Sequence, residues 1–310
     1  MRLRKVLFVC AILCAQISWI ESVFRPKPKC NQPINIYDNL KCKPKFGKQE
    51  KICPECYDCS QIDPKINKCY YQGKYYKIGE QIDDNANLPS CYVGCYCNDD
   101  LTFTCAVTDC AYPSIPDGCY FTNEVNQCCP SGLNCPDNNT LICNVGYDVY
   151  EGQTFQNPKD ECSNCKCARG VTGDPGDPHC KKTACDVEIT QSNYILGYCA
   201  AVYAQLTDCC PYDYMCPRDD DVFYSCYDSS SSSDSDSVPD SQGPRVTCDD
   251  HNACKQCRYG KSCYPLGTKF SRYVYDPDSP TDDWYQFTEC ECNIPPYFTC
   301  TRTFERPSTE

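Results

Sequence analysis

Beyond position 20 the chain has no long apolar stretch. Its Tyr, Phe and Val residues fall in short clusters beside Gly, a pattern that suits brief strands leaving turns. Gly73 lies two residues after Tyr71 and three before Tyr76, and Gly152 lies two after Tyr150 and three before Phe155. No segment has the periodicity of an amphipathic helix. The pattern predicts short antiparallel hairpins joined by loops. The one continuous apolar run extends from Val6 to about Ile20, behind Arg2, Arg4 and Lys5 and ahead of Ser22. It is short of the roughly 20 residues a membrane span needs. Residues 1–22 therefore read as a cleaved secretory signal, and the mature chain is expected to be soluble and extracellular, with no membrane insertion.

Cysteine changes this picture most. The chain has 310 residues, of which 35 are Cys, and they repeat in order. Module A, residues 69–135, holds Cys69, Cys91, Cys95, Cys97, Cys105, Cys110, Cys119, Cys128, Cys129 and Cys135. Module B, residues 143–216, holds Cys143, Cys162, Cys165, Cys167, Cys180, Cys185, Cys199, Cys209, Cys210 and Cys216. In both, a lone Cys precedes a tight cluster, then spaced cysteines, a Cys-Cys-Pro and a last Cys. A partial module C, residues 251–310, carries Cys263, Cys290, Cys292 and Cys300. Cys263, Gly267 and Phe270 repeat the spacing of Cys69, Gly73 and Tyr76, and the intervals from Cys290 to Cys300 repeat those from Cys95 to Cys105. Module C lacks counterparts of Cys91 and Cys110, where Gln286 and Glu305 align. Joint loss predicts that these two bond each other, giving Cys91–Cys110 and Cys162–Cys185.

Leu, Ile, Val and Phe supply 52 residues, few for a core of this size, and the formal charge is −13. Such values normally signal disorder. Disulfides, each contributing about 2–4 kcal/mol, let small modules fold with little apolar burial. The fold class expected is therefore small, disulfide-rich and mainly β, with tandem modules as beads on a string. An acidic chain also lacks the basic footprint of a nucleic-acid binder. Removal of the leader takes Cys10 and Cys14 and leaves 33 cysteines. That odd number predicts a free thiol or a covalent homodimer.

The cysteine order resembles the von Willebrand factor type C module, whose signature is ten cysteines with an early Cys-x2-Cys-x-Cys and a late Cys-Cys-Pro. Cys162, Cys165 and Cys167 match the early spacing, whereas three residues separate Cys91 from Cys95. The gap after Cys-Cys-Pro is longer than usual, and the Trp common in the first half is absent. Chains of such modules occur in chordin-like and kielin-like secreted proteins, so the resemblance implies binding of growth factors of the TGF-β/BMP group and modulation of their signalling. It does not identify ligand-binding residues. The first half of module B also resembles pacifastin-type protease inhibitors, through Cys162-Ser-Asn164-Cys165-Lys-Cys167. That family pairs its six cysteines first to fourth, second to sixth and third to fifth. A structural role in matrix or a secretion is the third reading.

Residues 23–68 read as a Cys-containing spacer with Cys30, Cys42, Cys53, Cys56 and Cys59; Cys53-x2-Cys56 is echoed by Cys254-x2-Cys257, and Cys42 by Cys248. Its Lys-rich part, Lys27 to Lys51, reads as a solvated loop, with acidic glycans as an alternative contact. Residues 219–250 hold nine Asp and only Arg245 as a base. They read as an acidic, Ser/Asp-rich disordered linker, with serine phosphorylation and Ca²⁺ binding as the sharper alternative. Asn138-Asn139-Thr140 is an N-glycosylation acceptor between modules A and B. No Arg-Gly-Asp is present. The only histidines, His179 and His251, do not repeat between modules and read as loop residues, so no catalytic residue is assigned and no enzyme is expected. Crowded cysteines in an oxidising compartment favour disulfides over zinc, and no metal or cofactor is expected. The 25 tyrosines are divided between interface and packing roles.

Overall fold

A computed structural model describes residue 30 and residues 32–305, apart from residues 49–52, 63–66, 84, 85, 87, 89, 90, 220, 226–244, 249 and 276–284. The expected signal at 1–22 and the Ser/Asp-rich centre of the acidic segment lie outside the described residues. Residues 31–310 form one contact unit. The fold is mainly β and rich in disulfides.

The N-terminal spacer contains α1 (Asn35–Asn39) and a hairpin of β1 (Lys43–Lys45) and β2 (Cys56–Asp58). Each module opens with a two-stranded hairpin. These are β3 (Cys69–Tyr71) with β4 (Lys74–Tyr76) in module A, and β9 (Ile142–Asn144) with β10 (Asp148–Tyr150) in module B. A second, disulfide-tied layer follows. In module A it is β5 (Tyr92–Cys97) on β6 (Phe103–Val107). In module B it is β11 (Thr154–Gln156), β12 (Ser163–Lys166) and β13 (Cys180–Lys182). The second halves end in hairpins too: β7 (Tyr120–Thr122) with β8 (Gly132–Asn134), and β14 (Ala200–Tyr203) with β15 (Asp213–Met215). In module B two short helices, α2 (Val187–Thr190) and α3 (Ser192–Leu196), precede the last hairpin.

After β16 (Val222–Ser225) come β17 (Gln256–Tyr259), β18 (Ser262–Pro265), β19 (Thr268–Tyr275), β20 (Tyr285–Glu291) and β21 (Thr299–Glu305). A six-stranded sheet runs β15-β14-β21-β20-β19-β16, with β14 and β21 parallel. Module B thus shares a sheet with module C. Its core joins Ala200, Val202 and Met215 of module B to Tyr259, Tyr264, Phe270 and Phe298. Ile189 of module B similarly enters the module A core of Tyr71, Tyr76, Ile82 and Phe103. The expected beads on a string are therefore replaced by modules docked through shared cores. The physical reason is the small apolar content: no module buries its own face fully, so neighbours cover it.

The acidic segment differs from expectation as well. Phe223 in β16 is buried, pairs with Phe270 in register and stacks on Tyr264 at 4.2 Å. Ahead of it, Asp221 accepts from Arg272 Nε at 2.9 Å and from the Tyr259 hydroxyl at 3.1 Å. Residues 221–225 are thus part of the fold.

The recurring glycine contacts fall in a register that differs from the spacing argument. Gly79, Gly152 and Gly267 each donate a backbone N–H to a carbonyl, of Cys97, Cys167 and Cys292 respectively. Three residues on, Ile82, Phe155 and Phe270 are all buried. Gly73 instead sits in the turn of the opening hairpin, as Gly146 and Gly260 do. Two glycines six residues apart in module A allowed the slip.

Candidate functional site

Thirty-two described cysteines are disulfide-bonded. Each module's first half has the same two bonds: Cys69–Cys97 with Cys95–Cys105, Cys143–Cys167 with Cys165–Cys180, and Cys257–Cys292 with Cys290–Cys300. Cys257, not Cys263, therefore opens module C; Cys263 bonds Cys248. The proposed Cys91–Cys110 and Cys162–Cys185 are not formed. Cys91 bonds Cys128 and Cys110 bonds Cys129; Cys162 bonds Cys209 and Cys185 bonds Cys210. Both lost cysteines of module C thus have partners in the Cys-Cys-Pro pair that module C also lacks. Cys119–Cys135 and Cys199–Cys216 close the second halves. The spacer bonds are Cys42–Cys59 and Cys56–Cys254; Cys30 and Cys53 are disulfide-bonded too. Cys226 lies outside the described residues.

This framework fixes two surfaces of different character. On module A, the β5–β6 hairpin exposes Val93, Tyr96 and Val107, the last at 65%. Aligning Cys95 with Cys165 and Cys105 with Cys180 puts Lys166 at the position of Tyr96 and Lys182 at that of Val107. Both lysines are ion-paired, Lys166 with Glu124 and Lys182 with Asp160. The same framework therefore presents apolar side chains in one module and neutralised charges in the other. Residue identity, with no disulfide involved, makes the difference.

The second surface is a polar cleft of about 510 Å³ lined by residues of the spacer and both modules, including Asp38, Lys41, Gln72, Lys182, Asp186 and Glu188. Glu188 is buried and its Oε1 accepts the Gln72 N–H at 3.2 Å. Burial pushes its carboxyl up to about 8, against the pull of that hydrogen bond and of Lys41. Burial also raises Asp186, whose Oδ1 has no hydrogen-bond partner, and Asp38, which Lys182 and Lys41 pull back. These carboxyls can hold and release protons.

His179 lies in a braced loop. Its N–H donates to Asp177 Oδ1 at 2.8 Å, while Asp177 Oδ2 accepts from the Thr172 N–H, the Thr172 hydroxyl and the Gly173 N–H. Those backbone bonds hold the Asp177 carboxyl far below its usual range. His251 falls in a 3-10 turn, Asp250–Lys255. Among the described residues, one cluster has metal-ligand spacing, Cys110, Cys128 and Cys129, and all three sulfurs are committed to disulfides. Asn138 is exposed in a turn set by Asp137, whose Oδ1 accepts from the Asn139 N–H at 2.9 Å and from the Thr140 hydroxyl. Eleven of the 25 tyrosines are in the core, the packing role expected of them. Among the described residues no helix is long and apolar enough to cross a membrane. The density of disulfides fits an oxidising, extracellular setting.

Sequence reasoning missed the clefts and clamps between modules. Asp221 and Glu188 are single acids in acidic surroundings, and nothing in the linear pattern marks them as buried. No family model matches this chain, and no solved structure matches it.

Proposed function

We propose that this is a secreted protein-binding chain, that its ligand is a growth factor of the TGF-β/BMP group, and that module A makes the contact. The observation that carries the reading is the β5–β6 hairpin, where Val93, Tyr96 and Val107 are exposed, the last two at positions that module B fills with ion-paired lysines. Apolar and aromatic side chains held on a rigid, cross-linked hairpin favour protein contact, because little side-chain or backbone freedom is lost on docking. The resemblance of the cysteine order to the von Willebrand factor type C module supplies the ligand class.

The pacifastin alternative loses ground on connectivity. Module B has the first-to-fourth and third-to-fifth bonds, but its second and sixth cysteines bond the Cys-Cys-Pro pair instead. The test is binding of the immobilised full secreted chain to a panel of bone morphogenetic proteins and activins, with trypsin-like and chymotrypsin-like proteases alongside. Saturable growth-factor binding that Val93→Asp and Val107→Asp abolish supports the reading. Protease binding alone shifts it to inhibition, and silence across the panel leaves a structural role. A covalent homodimer through an odd cysteine is part of the same proposal. A species at twice the monomer mass on non-reducing gels, lost on reduction, is the expected result.

A further inference from the structure

The interval between Cys110 and Cys119 in module A reads Ala111, Tyr112, Pro113, Ser114, Ile115, Pro116, Asp117, Gly118. Two apolar-Pro dipeptides stand three residues apart. Proline fixes its own φ near −65° and drives the residue before it into extended or polyproline II backbone. Tyr112, Pro113, Ile115 and Pro116 are therefore set by local sterics alone.

The structure agrees. Residues 110–116 contain no helix, strand, turn or bend, and residues 111–118 are all exposed. No positive φ occurs before Gly118, at +80°. Among the described residues, the one backbone hydrogen bond of this segment is Cys119 N–H to Pro116 O, at its end. Polyproline II is the extended form that needs no internal hydrogen bonds. Both ends are fixed, by Cys110–Cys129 and Cys119–Cys135. The Tyr112 ring meets Phe121 of β7 edge-on at 5.6 Å, yet 63% of Tyr112 remains exposed, as does 44% of Ile115.

Polyproline II has three residues per turn and rises about 3.1 Å per residue. Tyr112 and Ile115 then share one edge, Pro113 and Pro116 the next, and Ala111 and Ser114 the third. Each apolar-Pro pair makes one ridge, and the two ridges lie about 9 Å apart. The matched interval of module B, from Cys185 to Cys199, holds α2 and α3 and no proline. The feature belongs to module A and does not come with the repeat.

We propose that residues 111–116 are a preformed polyproline II ligand, and that its partner is a protein with an aromatic-lined groove offering two pockets about one turn apart, one for Tyr112-Pro113 and one for Ile115-Pro116. Such a groove reads the pre-extended backbone and the ridges together, and the chain loses little entropy on docking because its ends are already tied. The inference rests on this loop alone and stands whether or not a growth factor binds β5–β6.

The experiment uses the full secreted chain against purified SH3, WW and EVH1 domains as probes of groove recognition. Saturable binding of at least one probe is expected. Pro113→Ala with Pro116→Ala should weaken it by about tenfold or more, and Tyr112→Ala similarly, while Ser114→Ala leaves it within about twofold. Non-reducing peptide maps identical to the parent show that the variants keep the fold. Failure of every probe to saturate overturns the proposal, and so does equal binding by the double proline variant.

Discussion

Glu188 is the residue whose environment departs furthest from what an acidic surface chain leads one to expect. Its carboxyl, ordinarily near 4.5, is raised to about 8 by burial, with Lys41 opposing and Asp186, Tyr70 and Tyr71 among its neighbours. The native chain thus keeps a proton that the unfolded chain releases. Stability from this group is full below about pH 4.5 and is lost as pH climbs through about 8. Glu188→Gln keeps the acceptor for Gln72 and removes the charge. It should raise the melting temperature at pH 8, leave it unchanged at pH 4, and flatten the slope between. Asp221 is a different case, a buried acid held by its partners. The Asp221 and Arg272 side chains are 2% and 9% exposed and form an ion pair, and Arg272 Nη2 also reaches the Cys216 carbonyl. Asp221→Ala strands a buried guanidinium and should cost about 3–5 kcal/mol by chemical denaturation with disulfides intact. Replacing both partners by apolar residues of similar volume should cost less.

At the scale of elements, the close approach of module A to module B turns on Gly152. Its φ is +87°, and a Cβ there would lie 2.6 Å from Thr122 Cγ2 of β7. The Asn123 N–H also donates to the Gly152 carbonyl. Gly152→Ala should destabilise by about 1–3 kcal/mol, and adding Thr122→Ala should recover the steric part but not the backbone part. A denaturation series on the single and double variants separates the two. Disulfide mapping provides a second check: Cys91 should be recovered joined to the Cys128–Cys129 peptide, and a Cys91–Cys110 peptide would contradict the framework. Much at this scale was legible in the sequence. Hairpins followed from Tyr and Gly spacing, whereas the first-to-fourth and third-to-fifth bonds of module B are those the pacifastin resemblance implies. Two things were not. Gly73 and Gly79 offered the same local signal, and only the buried side chain three residues later distinguishes them. The partners of Cys91 and Cys110 lie in the other half of the module, and local order carries no information on a contact that long in sequence.

For the whole molecule, composition foretold a fold held by cross-links, yet it did not foretell that modules would share cores. Linear patterns show which residues are apolar, but not which neighbour covers them. Ala200 and Val202 are fully buried because β21 lies beside β14, and Tyr37 of α1 stacks on Tyr57 at 4.2 Å while its hydroxyl donates to the Ile294 carbonyl. Residues 69–216 alone should therefore expose these faces. Expressed without the spacer and module C, they are expected to self-associate in gel filtration, where the full chain runs as a discrete species. The Cys56–Cys254 bond, across 198 residues, has one more consequence. A ribosome adds about 5–20 residues per second, so Cys56 emerges about 10–40 s before its partner. Through that interval modules A and B are closing their own bonds, with reactive thiols on every side. One of the first cysteines made is among the last to be joined, and faithful secretion depends on Cys56 being kept from the wrong partner until the C-terminal third arrives.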